Sequence, residues 1–141
     1  MRPKTPELTV DAIIETANGG IVLVERKNFP SGWAIPGGFV DPGESIAEAV
    51  RREALEETSL EISVKEIFHV YSKPWRDPRG DTVSIVYYCT ASGEPTGGDD
   101  ARTAKIFMPE FLPDRIAFDH ARILGQFFHW RRTGERPSVE E

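Results

Sequence analysis

Apolar and polar positions along the chain fall into short β-like runs and two helical stretches. LTVDAIIET and GIVLVERK are dense in β-branched residues and flank Ala17-Asn18-Gly19-Gly20, a pattern that predicts a hairpin. After the loop KNFPSGW, Trp33 to Ile35 reads as a short strand leading to Pro36 and the pair Gly37-Gly38. Ile46, Ala47, Val50 and Ala54 then recur at helical spacing, which predicts a helix from Ile46 to about Thr58, and Ser45 with Glu48 forms a capping box at its start. Two more strands are expected from Ile62 to Tyr71 and from Thr82 to Ala91, joined by the charged loop SKPWRDPRGD. Another is expected around Ala104 to Met108, after GEPTGGDDAR. The last helix should run from Asp119, as N-cap, to about Arg132, with Ile123, Leu124, Phe127 and Phe128 supplying its apolar face and Gly134 ending it. Only the closing RPSVEE reads as disordered. Elements in this order predict an α/β fold: one domain over residues 1–141, with a mixed sheet between helices.

Charge narrows the partners. With 23 acidic against 17 basic residues the net charge is −6, which argues against non-specific binding to nucleic acid. The single cysteine, Cys89, lies in the apolar run SIVYYCT and reads as a buried, inert thiol, in keeping with a reducing cytoplasm. No run is long and apolar enough to cross a bilayer, and MRPKTPEL lacks the apolar core of a secretion signal, so no membrane partner is expected.

The first helix carries the candidate chemistry. Glu53, Glu56 and Glu57 lie on neighbouring turns, so their carboxylates converge on one patch where like charges repel. Solvation or divalent cations would relieve that repulsion, and Mg²⁺ is the hard ion that suits carboxylates. On a helical wheel Glu53 and Glu57 fall beside Ile46 and Val50, at the edge of the apolar stripe, whereas Glu48, Arg51 and Leu55 point away. A purely solvated face would have the opposite phase, which favours metal binding.

GGFVDPGESIAEAVRREALEETSL resembles the Nudix box, G-x5-E-x7-R-E-U-x-E-E-x-G-U, where U is a bulky aliphatic residue. Gly38, Glu44, Arg52, Glu53, Glu56, Glu57 and Leu60 match at every spacing. Ala54 stands where the pattern has an aliphatic residue and Ser59 where it has the glycine that ends the helix. The resemblance implies an α/β/α sandwich with the box as a loop–helix–loop. It also implies a metal site built from Glu53, Glu56, Glu57 and the backbone carbonyl of Gly37, loaded with Mg²⁺ or alternatively Mn²⁺. The glycines would leave room for that carbonyl and for a diphosphate. Glu44 and Arg52 read as supports, Arg52 pairing with a box carboxylate to fix its rotamer. An ordinary surface ion pair of Arg52 with Glu48 or Glu56 is nearly as good a reading.

Outside the box, YSKPWRDPRGD, GGDDAR and IAFDHARIL resemble loops of the ADP-ribose pyrophosphatase branch of Nudix enzymes. Arg76 and Arg79 are then candidates to clamp phosphate or ribose oxygens, and Trp75 or Phe29 to stack on a base. RDPRG is equally readable as a charged turn. By resemblance, Asp99 or Asp100 would deprotonate the attacking water, with Glu53 or Glu56 as the competing base and a polar hairpin tip as the bland reading. His120 reads as a capping or core residue, and His69 and His129, in apolar surroundings, as structural. The expectation is a Mg²⁺-dependent hydrolase of nucleoside diphosphate derivatives, acting on ADP-ribose; relatives of this type commonly pair as dimers, so the resemblance suggests a homodimer and leaves the oligomeric state open. The alternatives are an oxidised nucleoside triphosphate pyrophosphohydrolase, or a non-catalytic nucleotide-sensing Nudix domain. The sensing modules often lose box carboxylates or carry a fused DNA-binding domain, whereas this chain keeps every carboxylate and has no room for the fusion.

Overall fold

The computed structural model describes residues 4–97 and 103–139. Its seven strands are β1 (Glu7–Glu15), β2 (Ile21–Arg26), β3 (Gly32–Ala34), β4 (Gly37–Phe39), β5 (Ser63–Tyr71), β6 (Thr82–Thr90) and β7 (Ala104–Phe107). Helix α1 (Ile46–Thr58) lies between β4 and β5, and α2 (His120–Thr133) follows β7 after a short 3-10 turn at Pro109–Phe111. The sheet runs β3-β2-β1-β6-β5, with β4 paired to β1 and β7 to β2. Only β1 and β6 run parallel, so the sheet is mixed as expected.

Because side chains alternate along a strand, β1 can be buried on both faces at once. Val10, Ala12 and Ile14 pack with Ala49, Val50 and Ala54 of α1, while Ile13 packs on the other face with Ile123, Leu124 and Phe127 of α2. The helices therefore cover opposite faces, which is the expected α/β/α sandwich. One edge of β1 is shared: Glu15 pairs with Ile21 of β2, whereas Thr9, Val10 and Asp11 pair with Phe39, Gly38 and Gly37 of β4. β2 and β4 diverge there, and the sheet opens into a cleft between them.

The caps follow their local chemistry. Ser45 and Glu48 make the reciprocal capping box at α1, worth about 1 kcal/mol. At the other end Ser59 takes the left-handed conformation, with φ of 62°, so the missing glycine leaves the helix exit unchanged in form. Asp119 does not cap α2 with its side chain, because that carboxylate is held by Arg76. β4 forms although its two glycines carry no strand propensity; its pairing with β1 creates it. Within the closing segment RPSVEE, Arg136 donates to the carbonyls of Ile67 and Phe68 on the outer strand, pairs with Glu66, and stacks 4.6 Å from the Trp130 ring. His129 is more exposed than its apolar neighbours suggest, and pairs with Glu135 at 3.0 Å. His69 packs between Phe68 and Tyr71, and Cys89 is buried, its thiol pushed up to about 12 by burial.

Candidate active site

Helix phase decides where the box carboxylates point. Glu57 is only 8 % exposed and its Oε1 accepts the Gly37 N–H at 2.8 Å, tying the last turn of α1 to β4. One turn earlier Glu53 lies against Gly38, so close that a Cβ there would stand 2.5 Å from its Cδ. Burial raises the Glu53 pKa, with Glu56 and Asp41 adding like-charge repulsion and Arg52 opposing it. Glu56 is more exposed, at 58 %, and shares with Glu53 the Arg52 Nη1, which lies 3.4 Å from its carboxylate. Gly37 and Gly38 are thus required by protein contacts: a side chain at Gly37 would run into the Val10 carbonyl and Asp11.

Arg52 organises this face. It donates to Glu44 from Nε at 2.7 Å and from Nη2 at 2.9 Å, to Glu53 at 2.7 Å and to the Phe39 carbonyl at 3.1 Å, with a looser 3.4 Å approach to Glu56. This bridging set goes beyond a surface ion pair, and Glu48 is not part of it, being used in the cap. The paired Arg52 guanidinium and the Asp41 N–H hold the Glu44 carboxyl well below the usual carboxylate range.

Glu53 and Glu57 face a cavity of about 470 Å³, whose other walls come from β1, the β2–β4 segments, the β5–β6 loop and the start of α2. Its floor holds a polar group that the sequence did not single out. Asp11 alternates with Val10 and Ala12 toward α2; it is buried, accepts the Ser84 hydroxyl, and burial pushes its pKa up to about 6. His120, at the first turn of α2, approaches Asp11 at 4.0 Å, and its Nδ1 accepts the Ile35 N–H at 3.0 Å. Burial, with Arg76 and Arg26 near, lowers His120 to about 3 and keeps it neutral, so the core reading of this residue holds. A lone carboxylate inside the apolar run LTVDAIIE was the available signal for Asp11.

The loop candidates separate. Arg76 lines the cavity, but its side chain is 6 % exposed and committed to Asp119 at 2.8 and 3.0 Å and to Thr82 at 2.7 Å. It braces the β5–β6 loop against α2. Arg79 does reach the cavity, paired with Asp77 at 2.9 Å and stacked between Phe39 and Phe118. Asp77 also accepts the Arg79 N–H, so RDPRG is both a charged turn and a cavity wall. Phe29 stands at the cavity rim, whereas Trp75, 87 % exposed, belongs to a separate hollow of about 210 Å³ beside Lys73 and Arg122. Asp99 and Asp100 lie outside the described residues.

Among the described residues, no three acidic or imidazole side chains close into a preformed metal cage. The donor set nonetheless fits Mg²⁺, which holds on through one or two carboxylates and fills its octahedron with water and phosphate oxygens. Glu53 and Glu57 supply hard oxygens at an open wall, and burial beside like charges makes Glu53 a carboxylate that a cation would stabilise.

A carboxylate-faced helix on the lip of an α/β/α cleft defines a class of metal-assisted phosphoanhydride hydrolase. The chain belongs to the NUDIX domain family, whose model matches residues 5–130, and is a Nudix hydrolase; the family uses divalent cations. Over 129 residues it is 46% identical to a protein of Methanocaldococcus jannaschii named ADP-ribose pyrophosphatase, covering 89% of this chain and 75% of that one. It is 30% identical to the ADPR responsive transcriptional repressor NtrR of Acinetobacter baylyi, covering 88% of this chain and 54% of the repressor. The NUDIX domain of Shewanella oneidensis NrtR, solved with ADP ribose, superimposes with a TM-score of 0.77 at 27% identity, covering 92% of this chain and 90% of that one. No helix among the described residues is long and apolar enough to cross a membrane.

Proposed function

We propose that the enzyme hydrolyses ADP-ribose to AMP and ribose 5-phosphate, with Mg²⁺ held by Glu53, Glu56, Glu57 and the Gly37 carbonyl. The 46% identity to an ADP-ribose pyrophosphatase over nearly the whole chain is the observation that carries this reading. Glu53 and Glu57 line a cavity with aromatic and cationic walls, which suits a nucleotide joined to a second group through a diphosphate. Bound Mg²⁺ would neutralise phosphate charge and lower the pKa of a coordinated water. Arg52 keeps the Glu53 and Glu44 carboxylates from swinging into solvent, and the Glu57 bond to the Gly37 N–H fixes the adjoining carbonyl. The proton of the attacking water goes to Asp99 or Asp100 of the loop, or to Glu53 or Glu56 on the helix.

A nucleotide-sensing role is the second reading, favoured by the likeness to the NtrR repressor. Retention of Glu53, Glu56 and Glu57 supports hydrolysis over sensing. Steady-state hydrolysis of ADP-ribose and of an oxidised guanine triphosphate discriminates the substrates: a higher kcat/KM for ADP-ribose is expected, and the reverse order would place the enzyme with the nucleotide-pool hydrolases. A homodimer belongs to the same proposal, and sedimentation equilibrium tests it directly.

A further inference from the structure

Asp11 and His120 reach the floor of the cavity from two elements, one from the central strand β1 and the other from the first turn of α2. Their facing polar atoms, Asp11 Oδ1 and His120 Nε2, stand 4.0 Å apart, too far to bond each other. The other polar atom of each side chain is engaged: Asp11 Oδ2 accepts the Ser84 hydroxyl, and His120 Nδ1 accepts the Ile35 N–H at 3.0 Å. The side chains are 11 % and 4 % exposed, and both line the cavity, so the little surface they keep opens into it. Oδ1 and Nε2 make no hydrogen bond among the described residues, yet neither is sealed off.

Those contacts fix where the protons are. A ring nitrogen that accepts an amide N–H carries no proton, and burial keeps the imidazole neutral, so its one proton sits on Nε2. Nε2 is therefore a donor, and the carboxylate Oδ1 an acceptor. The imidazole is held in place: its centroid lies 5.0 Å from that of Phe118, whose ring in turn faces Arg26 at 4.9 Å. Asp11 is held by its register with Gly37 of β4 and Val86 of β6. A single oxygen can meet both atoms at about 2.8 Å, with an angle of roughly 90° between the two bonds, provided that it both accepts and donates. A hydroxyl meets that condition. An ionised phosphate oxygen or an ether oxygen has no proton to give to Asp11.

We propose that Asp11 and His120 form a hydroxyl-reading site, in which one ribose hydroxyl of the substrate accepts a hydrogen bond from His120 Nε2 and donates one to Asp11 Oδ1. Asp11 is in register with Gly37, whose carbonyl is assigned to the metal, so the hydroxyl belongs to a ribose attached to the diphosphate. A nucleoside diphosphate joined to a sugar offers such a ribose on either side. This rests on reading the cavity as the site of a nucleoside diphosphate derivative. An analogue without the hydroxyl would leave a buried donor and a buried carboxylate oxygen unmet, and a site built on such bonds discriminates strongly against it.

The test removes hydroxyls from the ligand first, so it does not depend on a variant folding. Wild-type kcat/KM is measured with saturating Mg²⁺ for ADP-ribose, for its 2′,3′-dideoxyadenosine analogue, and for the ADP ester of tetrahydrofurfuryl alcohol, which lacks the hydroxyls of the terminal ribose. At least one analogue should fall about a hundredfold below ADP-ribose, and which one falls identifies the ribose. Asp11→Asn and His120→Asn, each checked for wild-type circular dichroism, then locate the effect. The first turns an amide N–H₂ toward His120 once Ser84 holds its oxygen, and the second keeps an acceptor for Ile35 but has no Nε2 donor. In both, the discrimination should shrink to within about threefold, because ADP-ribose loses there what the analogue lost in wild type. Both analogues within threefold of ADP-ribose in wild type would mean that the pair holds only a water and would overturn the proposal, as would full discrimination retained in the folded variants. Should wild type leave ADP-ribose intact yet show the same discrimination in calorimetric Kd, the hydroxyl site would stand and the hydrolysis assignment alone would fail.

Discussion

Replacing Gly38 by alanine should damage catalysis far more than folding. Gly38 has an ordinary backbone conformation, so alanine brings no strain of its own, but its Cβ would stand 2.5 Å from the Glu53 Cδ and 2.6 Å from both carboxylate oxygens. To reach van der Waals contact the carboxylate must retreat by about an ångström, and a misplacement of that size costs roughly a hundredfold in rate, about 3 kcal/mol of barrier. The retreating group is the end of a flexible side chain, and alanine also lowers the entropy of the unfolded chain by up to about 1 kcal/mol, so stability should stay near wild type. Gly37→Ala is the contrast, since its Cβ would meet the backbone carbonyl of Val10 and the buried Asp11, neither of which can yield, and it should fail to fold. The assay pairs kcat for ADP-ribose at saturating Mg²⁺ with the thermal midpoint of each variant. A folded Gly38→Ala with wild-type kcat would show that the position of Glu53 against β4 does not matter to the reaction.

Glu53→Gln and Glu57→Gln should each lower kcat by a hundredfold or more, about 3 kcal/mol of transition-state stabilisation, with a smaller loss of stability; near-native turnover in both at saturating Mg²⁺ would refute the metal assignment. The buried Asp11 and His120 make opposite contributions to acid stability. Folded Asp11 titrates near 6 against an ordinary 3.8, and folded His120 near 3 against 6.5. From about pH 4 to about 6 the unfolded chain carries the His120 proton that the folded chain lacks, so this residue makes stability rise with pH by up to about 1.4 kcal/mol per unit, while Asp11 makes it fall by as much. Asp11→Asn should therefore expose a rising slope and His120→Gln a falling one in urea midpoints between about pH 4.5 and 5.5, and flat profiles in both would reject the assigned proton positions.

What was legible in the chain was what depends on local period and spacing. The α1 register followed from Ile46, Val50 and Ala54, and with it the inward aim of Glu53 and Glu57. The hairpin after β1, the Ser45 cap and the Gly134 stop are equally local. Contacts made through space were not legible. Arg76 and Arg79 look alike in RDPRG, and only the fold spends one on Asp119 and leaves the other against the cavity. Arg26 and Phe118 carry no motif, since their meeting depends on β2 and the start of α2 coming together. Arg136 docks on an edge strand whose free carbonyls no pattern in the tail announces.

The most direct test of the account is product analysis on the purified protein with ADP-ribose and Mg²⁺, followed by chromatography beside an EDTA control and the Glu57→Gln variant. Equimolar AMP and ribose 5-phosphate should accumulate with wild type, vanish under EDTA, and form about a hundredfold more slowly or less with Glu57→Gln. Intact ADP-ribose over hours, bound tightly by the same wild-type protein, would contradict hydrolysis and make this fold a sensor of the nucleotide.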